Sequence, residues 1–172
     1  IFEGKTIKTP DAGTIWRVIE EYQVNVLFTA PTAFRAIKKE DVKGKLKEQY
    51  DTSCLKYLFL AGERTDINTL NWCEEMLKVP VIDHWWQTES GYPMLANMAG
   101  LELQPIKPGS AGPPVCGFEV AILNHDNKEV STGEEGAVAN RYPLPPGCLP
   151  NLWEDRPRFK KTYVSDSPGY YC

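Results

Sequence analysis

A single short stretch gathers most of the chemically capable side chains of this chain. After the apolar Val81 and Ile82 come Asp83, His84, Trp85, Trp86, Gln87, Thr88, Glu89, Ser90 and Gly91. Two acids, two indoles, an amide and a hydroxyl suit a site that grips a flat ring, phosphate oxygens and a metal ion. Glu89 would offer a hard carboxylate oxygen to Mg²⁺ beside a phosphate. Thr88 reads as the N-cap of a helix, and a hydroxyl at a helix N-terminus also suits an anion. Tandem indoles on a strand point to opposite faces, so one packs inward while the other lines a cleft. Each group also has a plain structural use: indoles as core, Glu89 as a solvated acid, His84 as a packing or hydrogen-bonding side chain.

Two further groups join this stretch once the elements are laid out. Thr9, Pro10 and Asp11 read as a cap, a first-turn proline and a first-turn acid, opening a helix that runs to about Tyr22 with Ile15, Ile19 and Tyr22 on one face. Residues 24–30 form a short β-branched run, expected as a buried strand. Pro31 restarts a helix with Ala33, Phe34 and Ile37 inward. Residues 55–61 form a second strand. Asp66 caps a helix with Ile67, Leu70, Cys73 and Leu77 on one face, and residues 79–82 form a third strand. Strands alternating with helices indicate βαβ units and a parallel sheet. In such sheets ligands bind beyond the carboxyl ends of the strands. Those ends are Thr29-Ala30-Pro31, Ala61-Gly62-Glu63-Arg64 and the stretch from Asp83 to Glu89. The unusual residues fall where that rule places a site.

After about Gly100 helical periodicity stops and glycines and prolines take over. Residues 118–123 read as a strand, 124–127 as turn chemistry, and Val130 and residues 136–139 as further antiparallel strands. Pro143, Pro145, Pro146 and Pro150 argue against regular structure beyond. The fold class expected is α/β: a parallel βαβ sheet with flanking helices, followed by a smaller antiparallel β-rich, barrel-like subdomain. The division expected is 1–108, carrying the site motifs, and 109–172, truncated at its C-terminal end.

The 172 residues carry a net charge of -4 and no block of five like charges, which argues against nucleic-acid or anionic-membrane partners. No apolar run approaches a membrane span of about 20 residues. The five cysteines, Cys54, Cys73, Cys116, Cys148 and Cys172, are scattered and odd in number, which suits reduced thiols in an intracellular compartment, a cytoplasm or a mitochondrial matrix. The sequence is silent on oligomeric state. The chain opens on Ile1-Phe2-Glu3-Gly4 and stops at Gly169-Tyr170-Tyr171-Cys172, which reads as an interior piece of a longer protein. A phosphate-gripping GxxxxGK[ST] loop is missing, and Gly109-Ser110-Ala111-Gly112 lacks the cation a triphosphate needs.

Four segments in matching order resemble one family. Trp85 to Gly91 is similar to the WWQTETG signature of short-chain acyl-CoA synthetases in the adenylate-forming superfamily. Thr29-Ala30-Pro31-Thr32-Ala33-Phe34-Arg35 resembles their TAPTAIR segment, Gly62-Glu63-Arg64 their GEP, and Pro143-Leu144-Pro145-Pro146-Gly147 their PLPPG. Within the family the likeness is to the propionyl-CoA synthetase branch. The resemblance implies a two-step ligase with ATP, a short-chain carboxylate and coenzyme A as small-molecule substrates and Mg²⁺ as cofactor. It places Gly62, Glu63 and Arg64 against adenine, and Asp83 and His84 at the next strand end. Trp85, Trp86, Gln87 and Thr88 complete the nucleotide contact, with Thr88 near the α-phosphate and Glu89 on Mg²⁺. Ala61 and Trp86 are assigned to the acyl pocket. Where acetate-selective relatives tend to carry Val, this chain has Ala61, which favours propionate. Arg64 stands in place of Pro and Ser90 in place of Thr. The family's phosphate loop, ribose-binding Asp and adenylation Lys would lie outside the sequence, so this segment alone is expected to be inactive. The alternatives are an acetyl-CoA or other short-chain synthetase, and a non-catalytic nucleotide-binding module of the same fold.

Overall fold

The computed structural model describes residue 7 and residues 9–171. Ile1, Phe2, Glu3, Gly4 and Cys172, read above as cut ends, lie outside the described residues. Two compact units form: Ile1–Trp85 with Ala96–Gly112, and Trp86–Leu95 with Pro113–Cys172.

In the first unit the element order is α1 (Thr14–Glu21), β1 (Val26–Thr29), α2 (Pro31–Glu40), a 3-10 turn (Lys47–Gln49), β2 (Tyr57–Leu60), α3 (Ile67–Leu77) and β3 (Val81–Asp83). The strands pair in parallel in the order β1-β2-β3, with Thr29 opposite Leu60 and Leu60 opposite Asp83. The βαβ expectation is met, and the three carboxyl ends stand side by side. Because strand side chains alternate, Leu58, Leu60 and Val81 fall on one face, where they join the buried cluster of Ile15, Trp16, Phe34, Ile37, Leu70 and Cys73. The ring of Phe34 sits 5.8 Å from Trp16 and 6.4 Å from Trp72, and the Trp72 indole N–H donates to the Val42 carbonyl at 3.0 Å.

Three local expectations are corrected. The first helix starts at Thr14, not at residues 10–11: the Asp11 carboxylate accepts from the Gly13 N–H at 2.7 Å, and the Thr14 hydroxyl bonds to the carbonyls of Thr9 and Asp11. That acid makes a turn before the helix instead of serving its first turn. Tyr22, read as inward, is the C-cap and is 68% exposed, while Trp16 is buried. The first strand, read as buried, is an edge strand with Val26 and Phe28 more than half exposed. Apolar runs mark both one-sided and two-sided strands, and the run alone does not say which.

Two caps follow the sequence closely. Pro31 occupies the first turn of α2, with Lys38 and Lys39 in the last turn, where cations complement the helix dipole. Asp66 caps α3, accepting from the Thr69 N–H at 2.9 Å and its hydroxyl at 2.8 Å. Leu70, Cys73 and Leu77 are buried as expected, whereas Ile67 in the opening turn of α3 is 54% exposed.

The second unit is built on β4 (Val120–Leu123), β5 (Ala137–Arg141) and β6 (Tyr170–Tyr171), antiparallel in that order. After β4, Asn124 accepts from the N–H groups of Asp126 and Lys128 through its side chain, and Asn127 takes φ +58°, so the turn at 124–127 forms as read. The expectation of no regular structure beyond the prolines fails: α4 (Arg156–Tyr163) follows, capped by Asp155 with Pro157 in its first turn. The Asp155 carboxylate accepts from the Arg158 N–H at 3.0 Å. The same cap-plus-proline signal that marks other helices was present there.

Candidate active site

The carboxyl ends of β2 and β3 carry the first group of candidate residues. Ala61 continues β2, is 3% exposed, and donates its N–H to the Thr29 carbonyl at 3.1 Å. Gly62 follows with φ +99°, a backbone setting that favours glycine, and a Cβ there would meet nothing within 4 Å. Its exposed backbone is therefore open to a flat partner.

The Glu63 carboxylate is held by Arg35 of α2 (Nη2 to Oε1, 2.5 Å), and the same guanidinium reaches Asp66 at 3.2 Å. Arg35 thus ties the β2–α3 turn to the cap of α3. Sequence reading placed Arg35 only inside a matched segment; the 28-residue separation from Glu63 leaves no local signal for the pair. Arg64 is exposed, and its guanidinium lies over Gly109, where a Cβ would come within 2.8 Å of Nη2.

Asp83 is 9% exposed and accepts from the Thr65 N–H at 3.2 Å; burial raises its pKa above the ordinary carboxylate value, and the Thr65 bond opposes the rise. His84 donates its backbone N–H to the Leu60 carbonyl at 2.9 Å. Its ring packs 4.9 Å from Phe28 and 5.7 Å from Phe59, and Nδ1 is buried without a hydrogen-bond partner. Burial lowers its pKa below 6.5, with Asp83 opposing.

A pH dependence follows from that ring. The unfolded chain takes up the His84 proton near 6.5, and the folded chain takes it up only at lower pH. Stability is therefore complete above that value and is lost as pH falls below it. Chemical denaturation of the wild type and His84→Phe on either side of 6.5 should show the wild type losing ground to the variant in acid. Parallel pH profiles would refute a buried neutral imidazole.

Residues 84–95 hold the second group, and no helix forms there. Thr88 is therefore not a helix N-cap; residues 88–90 make a turn, because the hydroxyl of Ser90 closes it locally. The Ser90 Oγ accepts from the Gln87 N–H at 3.1 Å and lies 2.8 Å from both the Gln87 and Tyr92 carbonyls. Trp85 is half-buried and belongs to the first unit; Trp86, Gln87 and Thr88 are exposed and belong to the second.

Within the second unit the turn rests on the proline-rich segment. The Leu149 N–H donates to the Glu89 carbonyl at 2.7 Å, and the Cys148 thiol faces the Ser90 carbonyl at 3.6 Å. Gly91, at φ +74°, approaches so closely that a Cβ would stand 2.7 Å from the Gly147 carbonyl. Two segments noted separately in the sequence are thus in contact. Residues 142–150 and Phe159 also line a cavity of about 670 Å³.

The half-buried Glu89 carboxylate accepts from the Tyr163 hydroxyl at 3.2 Å. Among the described residues no group of three or more His, Cys, Asp or Glu side chains is placed to hold a metal ion. A lone hard carboxylate suits a Mg²⁺ that takes its remaining ligands from substrate phosphates and water. No disulfide forms among the described residues, and no described helix is long and apolar enough to cross a membrane.

The "AMP-binding enzyme" family model matches residues 1–144. Acyl-CoA synthetase short-chain family member 3, mitochondrial, of Homo sapiens is 44% identical over 172 residues, covering 99% of this chain and 25% of the relative. Propionate–CoA ligase of Escherichia coli (strain K12) is 45% identical over 157 residues, covering 91% of this chain and 25% of the relative. The chain thus spans about a quarter of the length of these relatives. The crystal structure of the anthranilate CoA ligase AuaEII in complex with anthranoyl-AMP shares the fold, with TM-score 0.78 at 24% identity, over 99% of this chain and 30% of that one.

Proposed function

The chain belongs to the AMP-binding enzyme family, and from that premise we propose that it is part of an ATP-dependent short-chain acyl-CoA ligase that favours propionate. The carboxylate of the acid attacks the α-phosphorus of ATP, the bond to the β-phosphate breaks, and acyl-adenylate and pyrophosphate result. The thiol of coenzyme A then takes the acyl group, losing its proton and releasing AMP. The observation that carries the reading is the alignment of Gly62-Glu63-Arg64 with Asp83 and His84 at adjacent strand ends, on a chain 45% identical to a propionate–CoA ligase.

The proposed roles follow the chemistry of each group. The open backbone of Gly62, steadied through the Arg35–Glu63 pair, meets the adenine face, and Arg64, Asp83 and His84 flank the nucleotide. Trp85, Trp86, Gln87 and Thr88 contact the nucleotide, with the Thr88 hydroxyl directed to the α-phosphate. Glu89 would hold Mg²⁺, which supplies positive charge against the phosphate oxygens. Ala61 limits the length of the acyl chain, and the exposed indole of Trp86 is proposed to meet that chain too.

Ala61 gives the test. In the full-length protein, propionate should outcompete acetate and butyrate, and Ala61→Val should move the propionate-to-acetate ratio of kcat/KM towards acetate by roughly 10-fold, the value of about one methylene in a fitted pocket. Acetate outcompeting propionate on the wild type would overturn the propionate reading. An absence of any acid-dependent ATP–pyrophosphate exchange in the full-length protein would overturn the ligase reading itself and favour a binding module.

A further inference from the structure

The second unit contains an aromatic plate with no role in the reading above. Phe159 and Tyr163, one turn apart on α4, have ring centroids 5.6 Å apart. Tyr163 and Tyr171 of β6 lie 5.4 Å apart with planes only 2° from parallel, and Phe159 and Tyr142 close on Tyr171 at 6.5 and 6.4 Å. Such offset and edge contacts fix a ring in plane and position. The plate is anchored at both ends: Tyr171 is held in the ladder opposite Asn140, and α4 is fixed at its start by Asp155.

From this plate the Tyr163 hydroxyl donates to Oε1 of Glu89. In this bond the phenol is the donor and the carboxylate the acceptor. Glu89 is thus fixed twice, through its carbonyl by Leu149 and through Oε1 by Tyr163. Oε2 makes no hydrogen bond or ion pair among the described residues, and a carboxylate oxygen accepting from a phenol is a poorer second arm for a cation. We propose that Tyr163 is a positioning residue, which holds Glu89 by one oxygen and presents the other as a single-oxygen ligand for the divalent cation of the nucleotide complex. The inference rests on the reading of Glu89 as the metal ligand. Partners that orient a metal-binding carboxylate commonly change metal affinity by about 10- to 100-fold.

The test is calorimetry of ATP binding to the full-length protein, in Mg²⁺ and in chelator, because the ratio of the two dissociation constants reports metal coupling and not folding. Tyr163→Phe keeps the stacked ring and removes only the donor. It should lower that ratio about 10-fold relative to the wild type, with metal-free ATP affinity and thermal midpoint unchanged. Tyr171→Phe, which removes a buried hydroxyl that has no partner, should leave the ratio as it was. A wild-type ratio in Tyr163→Phe, alongside a collapsed ratio in Glu89→Gln, would overturn the role of Tyr163 alone. An equal fall in Tyr163→Phe and Tyr171→Phe would also overturn it, since packing would then be the cause. A wild-type ratio in Glu89→Gln would instead overturn the metal-ligand reading.

Discussion

Glu89→Gln in the full-length protein is expected to reduce acid-dependent ATP–pyrophosphate exchange at least about 100-fold while the protein stays folded. The substitution keeps the shape of the side chain, and the amide oxygen still accepts from the Tyr163 hydroxyl, so the turn has no reason to rearrange. What is lost is one full negative charge at the proposed cation position. A metal ion stabilises charge on transferring phosphoryl oxygens by several kcal/mol, and about 3 kcal/mol already corresponds to roughly 100-fold in rate. The loss should appear in kcat and in the Mg²⁺ requirement together, and excess Mg²⁺ should recover part of it. Exchange within a few-fold of wild type at limiting Mg²⁺ would remove Glu89 from the chemistry.

Phe34→Ala should cost about 3–5 kcal/mol of stability, the usual toll for emptying an aromatic site in a packed core. Phe34 is fully buried and lies between two indoles, of which Trp72 is held by its bond to Val42 and cannot shift far to fill the hole. The damage is not confined to packing, because the next residue on α2 is Arg35, whose two ion pairs hold the turn at Glu63. Phe28→Ala is the matching control. That ring is 57% exposed on the other face of the sheet and should cost far less. Urea denaturation of both variants measures the contrast directly, and comparable losses at the two positions would show that the core is elsewhere than the Trp16–Phe34–Trp72 stack.

Much of the first unit was legible because helix and strand leave different periods in the sequence. The alternation of apolar runs with capped helices gave the βαβ order and hence the strand ends at Gly62 and Asp83. The errors have local physical causes. Asp11 had the composition of a first-turn acid but bonds to Gly13 in a turn, and the strand at Val26–Thr29 was apolar without being enclosed. The helix at Arg156–Tyr163 was hidden by the prolines before it, although Asp155 and Pro157 announce a helix start. Thr88 looked like a cap because a hydroxyl before an acid often is one, yet the Ser90 hydroxyl closes that segment as a turn.

The partners of the candidate site were less legible than the site residues themselves. Glu89 stood out by its neighbours in the chain, but Tyr163 lies 74 residues away and no spacing rule links the two. Arg35 is 28 residues from Glu63, with a whole strand between them. Those links are made by tertiary packing, which a linear pattern records only as isolated aromatic or charged residues.

The approach of Gly91 to the Gly147 carbonyl places two remote loops in one shared volume. Neither loop can therefore be redesigned as an independent cassette. A segment grafted at 88–91 from another scaffold must arrive with its own counterpart for 147–149, since a mismatched pair would collide through backbone atoms that have no rotamer to change. The smallest exchangeable part is therefore the pair of loops together, and a library that varies 88–91 while freezing 147–149 has to keep glycine at position 91, where a Cβ would stand 2.7 Å from the Gly147 carbonyl.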